Sequence, residues 1–204
     1  TEALTNMLLA RRELEVATVA FTTTTWGSNS SLTSATSWGE ATTVSDPIVD
    51  VHSAAAAIVL NGAIRPNKMV LGYRTFLLLK DHPSVIDRIQ FTERAVVTVD
   101  VLASLFDLDK VVVGSAVRNT GLEGIANSNT TIWANGALVE YVPPTPGRRV
   151  PSAGYLLTKG SESFRVKRWR DEAIDGDWIE VSSDFAAQAV GTAAAHFISA
   201  PDHG

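Results

Sequence analysis

The sequence predicts an α+β protein, with an α/β lobe through its middle and antiparallel strands in its last third. Three observations carry this. The run SDPIVDVHSAAAAIVLNGAIRPNKMVLGYRTFLLLKDHP, Ser45 to Pro83, reads as helix, turn, strand and second helix with clear punctuation. Strand and helix signals keep alternating through residues 46–117, as in an α/β lobe. Beyond the breakers Pro143, Pro144 and Pro146 the pattern is β-rich, with Phe164 and Val166 alternating against Arg165 and Lys167.

In chain order, residues 1–21 place Leu4, Met7, Leu8, Leu14 and Ala17 at helical spacing, with Arg11, Arg12, Glu13 and Glu15 on other faces; this predicts an amphipathic helix. Residues 22–43 are rich in Thr and Ser, which predicts an extended loop or irregular hairpin. Trp26 and Trp38 within it are a large apolar load that needs burial in the same subunit or in a neighbour. Asp46-Pro47 starts the next helix, because Asp caps free N–H groups and Pro suits the first helical position. Four alanines, Ala54 to Ala57, favour the helix interior, and Asn61-Gly62 stops it. Lys68 to Gly72 is a strand, Tyr73 to Lys80 a helix ending before Pro83, and Ser84 to Gln90 a further helical piece. Thr98 caps a helix on which Leu102, Leu105 and Phe106 share a face, and Val111 to Val113 is an apolar strand.

From Arg118 to Thr131 the chain is Gly- and Asn-rich, a long exposed loop of the kind that carries contacts. Ile132-Trp133, a turn at Asn135-Gly136 and Leu138 to Val142 predict strand, tight turn, strand. Asp175-Gly176 predicts a hairpin joining SFRVKRWRDEAI to DWIEVSSDF. The tail FAAQAVGTAAAHFISA suits either a closing strand or a packed helix.

At 204 residues and 45% hydrophobic, the chain can bury a sizeable core. A net charge of −5 and a pI near 5.3 provide no general field for nucleic acid or membrane surfaces. The absence of cysteine excludes thiolate chemistry and disulfides. No apolar run approaches the ~20 residues of a membrane span, and the start of the chain lacks a secretory signal pattern, so a cytosolic setting is expected. It begins at Thr1 rather than Met, as a processed or incompletely represented product would.

Catalytic motifs are sparse. There is no G-x-S-x-G elbow, Walker A lysine motif or H-E-x-x-H, and Gly121-Leu122-Glu123-Gly124 reads as a turn. His52 lies near Asp46 and Asp50, but Asp50 and His52 point to different helix faces, a weak metal site. His82 before Pro83 reads as a polar residue at a helix C-terminus, favourable to the dipole, and His203 lies in the tail. Arg165, Lys167, Arg168 and Arg170 surround Trp169 and suit a nucleic-acid patch. The acids Asp171, Glu172, Asp175 and Asp177 follow at once, which favours salt bridges within a hairpin or with a neighbouring subunit.

The ordered series DPIVDVHSAAAAIVLNGAIRPNKMVLGYRTFLLLKDHPSVIDRI, then SLFDLDKVVVGSAV, then IWANGALVEYVPP, resembles the major capsid proteins of tailed bacteriophages, which share the Hong Kong 97 fold. The resemblance spans about residues 38–200. It implies a spine helix over Asp46 to Asn61, a peripheral domain formed by residues 1–65 and by antiparallel strands in 145–204, and an axial α/β domain over 66–144. Loop 118–131 would lie toward a capsomer axis. The family's N-terminal arm and extended hairpin either lie upstream of Thr1 or are absent from a short variant, and with no lysine before Lys68 the crosslinking chemistry of some relatives is not carried over.

The implied function is structural, with no catalytic, cofactor or metal site: self-assembly into pentamers and hexamers of an icosahedral virion shell around double-stranded DNA, in the host cytoplasm. DNA contact would be weak and non-specific, no membrane is involved, and portal, scaffold or decoration proteins are further partners. Candidate subunit-interface residues are Trp26, Trp38, Arg118, Asn119, Glu123, Arg165, Lys167, Arg168 and Arg170. An encapsulin-type compartment shell is the alternative within the fold. An α/β hydrolase-like or ligand-binding enzyme, revived by converging Ser, His and Asp, is the alternative outside it.

Overall fold

The computed structural model describes residues 2–39, 44–90, 96–122, 124–147, 149–159 and 164–199. The first half runs α1 (Glu2–Ala20), β1 (Ser28–Ser31), α2 (Pro47–Gly62), β2 (Lys68–Gly72), α3 (Tyr73–Asp81), α4 (Pro83–Ile89) and α5 (Val99–Leu105). The second half is built of strands: β3 (Lys110–Gly114), β4 (Val117–Asn119), β5 (Asn129–Thr131), β6 (Gly136–Glu140), β7 (Gly154–Thr158), β8 (Arg165–Asp171), β9 (Gly176–Ser182), β10 (Phe185–Ala189) and β11 (Ala195–Ser199). The architecture is mixed α+β, as the alternating signals predict.

Local chemistry explains the helix boundaries. Asp46 caps α2 by accepting from the Ile48 and Val49 N–H groups at 3.0 and 3.5 Å, and Pro47 fills the first turn. At the other end the left-handed residue is Ala63, at φ 52°, rather than a glycine. Gly62 is needed for a different reason: a Cβ there would stand 2.8 Å from the Ala193 carbonyl oxygen, so α2 could not lie this close to the turn before β11. Thr98 caps α5 by accepting from Val101 N–H at 3.4 Å.

A five-stranded sheet in the order β1-β11-β6-β2-β3 organises the chain. Strands β2 and β3 are parallel, joined by a crossover through α3, α4 and α5, whereas β6 runs antiparallel to both β2 and β11. The alternation of side chains along a strand sends neighbouring residues to opposite faces. Met69, Leu71, Ala137, Val139 and Ile198 enter one core with Ile48, Val51, Ala54 and Ile58 of α2 and with Leu79, Val85, Leu102 and Phe106 of the crossover helices. Val70, Leu138 and Phe197 enter a second core with Trp26, Ala153, Ala194 and Ala195. Burial on both faces is why the central strands are continuously apolar. The sheet draws β1 from before residue 65, β11 from after residue 145, and β2, β3 and β6 from between.

Three sequence expectations are corrected. The Ser/Thr block is not only loop, because Ser28–Ser31 pairs in parallel with β11; a serine-rich segment has no strand signal of its own, and its partner supplies the ladder. The stretch after residue 116 is a short hairpin, β4 against β5, rather than an unpaired loop. Asn135-Gly136 does not join two paired strands: β6 begins at Gly136 and pairs with β2 and β11, leaving β5 to β4. Among the described residues Gly124 is the one glycine with positive φ, so the backbone at Gly136 lacks the geometry of a tight I′ turn. The predicted hairpin near Asp175-Gly176 is present, with Glu172 to Asp175 as its loop. The tail is strand rather than helix, as β10 and β11 with a short 3-10 turn at Thr192–Ala194.

Candidate functional site

Both tryptophans expected at a subunit interface belong to this chain's own core. Trp38 is 2% exposed, packs among the α2 residues and donates from Nε1 to Asp50 Oδ2 at 2.8 Å. Trp26 is 6% exposed and donates to the Ala20 carbonyl at 2.8 Å. The two sheet faces offer each indole an apolar seat with an acceptor for its N–H, so both are buried within their own subunit.

The polar candidates are on the surface. Arg118 and Asn119 lie in β4, all of whose residues are exposed. Asn119 is engaged within its own hairpin: Oδ1 accepts from Gly121 and Ser128 N–H, both at 2.9 Å, and Nδ2 donates to Asn127 Oδ1 at 3.0 Å. Glu123 and His203 lie outside the described residues. The basic cluster falls on the β8–β9 hairpin, where Lys167 faces Glu180 at 3.8 Å and Arg170 donates to Glu172 at 2.9 Å and to Asp175. Arg165 and Arg168 make no ion pair among the described residues.

The histidines act differently from their sequence reading. His82 is not a dipole-compensating C-terminal residue. It is 3% exposed and caps the next helix, its Nδ1 accepting from Ser84 N–H at 3.2 Å. An accepting Nδ1 places the proton on Nε2, which donates to Ser45 Oγ at 3.2 Å, and the Ser45 hydroxyl donates in turn to the Ser37 carbonyl at 2.8 Å. Burial lowers the His82 pKa against the opposing fields of Asp46 and Asp50. His196 bridges the Ser28 and Ser30 hydroxyls at 3.0 Å each and is likewise lowered by burial. Burial raises Asp50 although the Trp38 indole opposes it, and raises Glu140 although Lys68 stands 3.8 Å away.

Lys68 and Glu140 line a mainly apolar cleft of about 230 Å³ that also touches α1, β7 and β10. The Ser28, His196 and Ser30 trio has a base between two hydroxyls, but its hydrogen bonds tie β1 to β11 and no carboxylate joins them. Among the described residues no group of three or more His, Asp or Glu side chains could hold a metal ion, and no helix is long and apolar enough to cross a membrane.

Surfaces that the sequence reading missed are apolar. Helix α2 buries Ile48, Val51, Ala54 and Ile58, yet its outer face shows Val49, Val59 and Leu60, the last 84% exposed. Apolar side chains left together in solvent mark a contact surface, although His52, Ser53 and Asn61 of the same helix are exposed too. On α1, Leu4 and Met7 are exposed and Ala17 alone is buried. Its acids are the anchors instead: Glu13 accepts from Trp133 Nε1 at 2.6 Å and Glu15 from Ala187 N–H at 3.2 Å. Exposed Trp169 and Trp178 stack across the β8–β9 hairpin, 6.3 Å apart at 13°.

No protein-family model matches the chain. It is 29% identical over 160 residues to a major capsid protein of Burkholderia phage BcepMu, covering 76% of this chain and 50% of that protein. It is 28% identical over 145 residues to a major capsid protein of Pseudomonas phage JBD67, covering 69% of this chain and 45% of the relative. The chain thus spans about half the length of these curated relatives. Among solved structures, a phage-related protein from Bordetella bronchiseptica RB50 superposes with a TM-score of 0.86 at 26% identity, over 97% of this chain and 65% of that one. A chain from Mycobacterium phage Che8, at 14% identity, shares the fold with a TM-score of 0.54, over 98% of this chain and 61% of its own length. Most of the chain is therefore similar to phage major capsid proteins in sequence, and nearly all of it to phage-related structures in fold.

Proposed function

We propose that this chain is the structural body of a tailed-phage major capsid protein of the Hong Kong 97 type, which self-assembles into the icosahedral head shell enclosing double-stranded DNA. The observation that carries this reading is the similarity to two curated major capsid proteins over 76% and 69% of the chain. The uncovered apolar face of α2 and the exposed aromatic pair on β8–β9 support it, because surfaces of this kind mark protein contacts. The function is assembly rather than catalysis. Its partner is itself, in pentamers and hexamers, with portal, scaffold or decoration proteins beside it and packaged DNA in weak contact. The setting is the virion, after assembly in the host cytoplasm.

In this reading α2 is the spine, residues 66–144 form the axial lobe, residues 1–65 and 145–204 form the peripheral one, and the five-stranded sheet is where the three segments join. Arg118 and Asn119 face a capsomer neighbour. The test is expression of the complete gene product, followed by light scattering and negative-stain microscopy. Closed shells are expected, and Leu60→Lys should leave the fold intact while impairing them. A protein that stays monomeric under all assembly conditions overturns the reading.

A further inference from the structure

Among the described residues the β8–β9 hairpin has no third strand. Its sheet contains only these two strands, and every residue of β8 except Asp171 is exposed. Two-stranded hairpins are marginal in water without further support. One face has some, since Ile179 and Val181 are half-buried and Val181 borders a groove along α1 with Leu4, Met7 and Leu8. Among the described residues the opposite face has none. From the base of the hairpin to its tip that face presents Arg165, then Lys167 beside Glu180, then the stacked Trp169 and Trp178, then Asp171. Beyond it the loop adds Glu172 and Asp175, both paired with Arg170 of the other face.

A surface with cations at one end, an aromatic pair in the middle and carboxylates at the other complements itself when turned through a two-fold axis. Resting on the shell reading above, we infer that the tryptophan faces of two hairpins pack together in antiparallel alignment between two copies of this chain, with Arg165 of each set against the acidic tip of the other. The tryptophans supply the buried area, as indoles do at the energetic centre of interfaces. Paired charges at the two ends fix the alignment. A nucleic acid is the poorer occupant of this aromatic and basic face, because Asp171, Glu172 and Asp175 at its tip would repel a polyanion.

The test is a charge-reversal cycle on the complete gene product. Arg165→Glu with Lys167→Glu reverses the base, and Glu172→Lys with Asp175→Lys reverses the tip. Near-ultraviolet circular dichroism of the tryptophan pair checks that each hairpin still folds. Each reversal alone should raise the concentration needed for particle formation by about tenfold or more, one well-placed charge contact being worth that factor. Both together should restore assembly, because the reversed face again complements itself. Tryptophan emission should shift to shorter wavelength on assembly, and Trp169→Ser with Trp178→Ser should abolish most of that shift. If the wild-type product forms shells while the single reversals assemble equally well, or the combined reversal fails to rescue, the hairpin contact is wrong and the shell reading stands. If the wild-type product forms no particle, the shell reading fails first.

Discussion

Replacing His82 isolates a buried polar relay whose strength can be worked out from its geometry. In His82→Ala, α4 loses its cap at Ser84 N–H and Ser45 loses the Nε2–H donor. A lost cap costs about 1 kcal/mol and a lost buried hydrogen bond about 1 kcal/mol more, so the variant should be destabilised by about 2 kcal/mol. For a chain of this length that corresponds to a fall in melting temperature of roughly 4–8 °C. His82→Asn retains a capping oxygen but cannot reach Ser45, so it should lose only about half as much.

The same histidine should make stability pH-dependent. Its folded-state pKa lies below the ordinary 6.5, so between the two values the unfolded chain binds more protons than the folded one. Stability is then complete above about pH 6.5 and falls as the pH drops through the folded value. His196 contributes with the same sign, so removing His82 should shrink the slope without abolishing it. Urea unfolding at pH 7.5 and at several pH values below 6.5, for wild type and both variants, measures all of this. Equal destabilisation of His82→Asn and His82→Ala, or an unchanged pH slope in both, would refute the relay.

Other substitutions probe separate parts of the structure. Ala63 is left-handed at φ 52°, so Ala63→Gly should stabilise by about 0.5–1 kcal/mol, read as a higher urea midpoint at an unchanged slope. A Cβ on Gly114 would stand 2.3 Å from the Trp133 ring; Gly114→Ala should cost about 1–3 kcal/mol and change tryptophan emission. Glu13→Ala removes the acceptor of Trp133 Nε1 and should cost about 1.5–3 kcal/mol, with faster amide exchange along α1. Ala56→Pro lies in the interior of α2 and should cost about 3 kcal/mol or more, so the variant should form no normal shells.

Much of the α/β run was legible because its signals are local. Asp46-Pro47, Thr98 and the breaks at Gly72 and Pro83 act within a turn of themselves, and the elements they bound appear where the sequence places them. Strand β1 was illegible because SNSS acquires its state from β11, more than a hundred residues away. The hairpin expected at Asn135-Gly136 failed for the same reason: β6 found stronger partners in β2 and β11 than in its chain neighbour. Of the candidate contact residues, Arg118, Arg165, Lys167, Arg168 and Arg170 proved exposed because charge resists burial wherever the fold goes. Trp26 and Trp38 could not be placed, since an indole suits a core and an interface equally well.

By itself, then, the sequence determined where helices start and stop, that a core exists, and the series of elements that resembles a capsid subunit. These depend on capping, φ restriction and periodicity, which act over a few residues. The tertiary structure alone decided which apolar surface was used up inside the chain. It buried Trp26 and Trp38, drew His82 into a relay with Ser45, and left the outer face of α2 and the Trp169–Trp178 stack in solvent. Hydrophobic burial is non-directional, so a sequence reports how much apolar surface must be covered, and only the folded chain reports which part remains for another copy to cover.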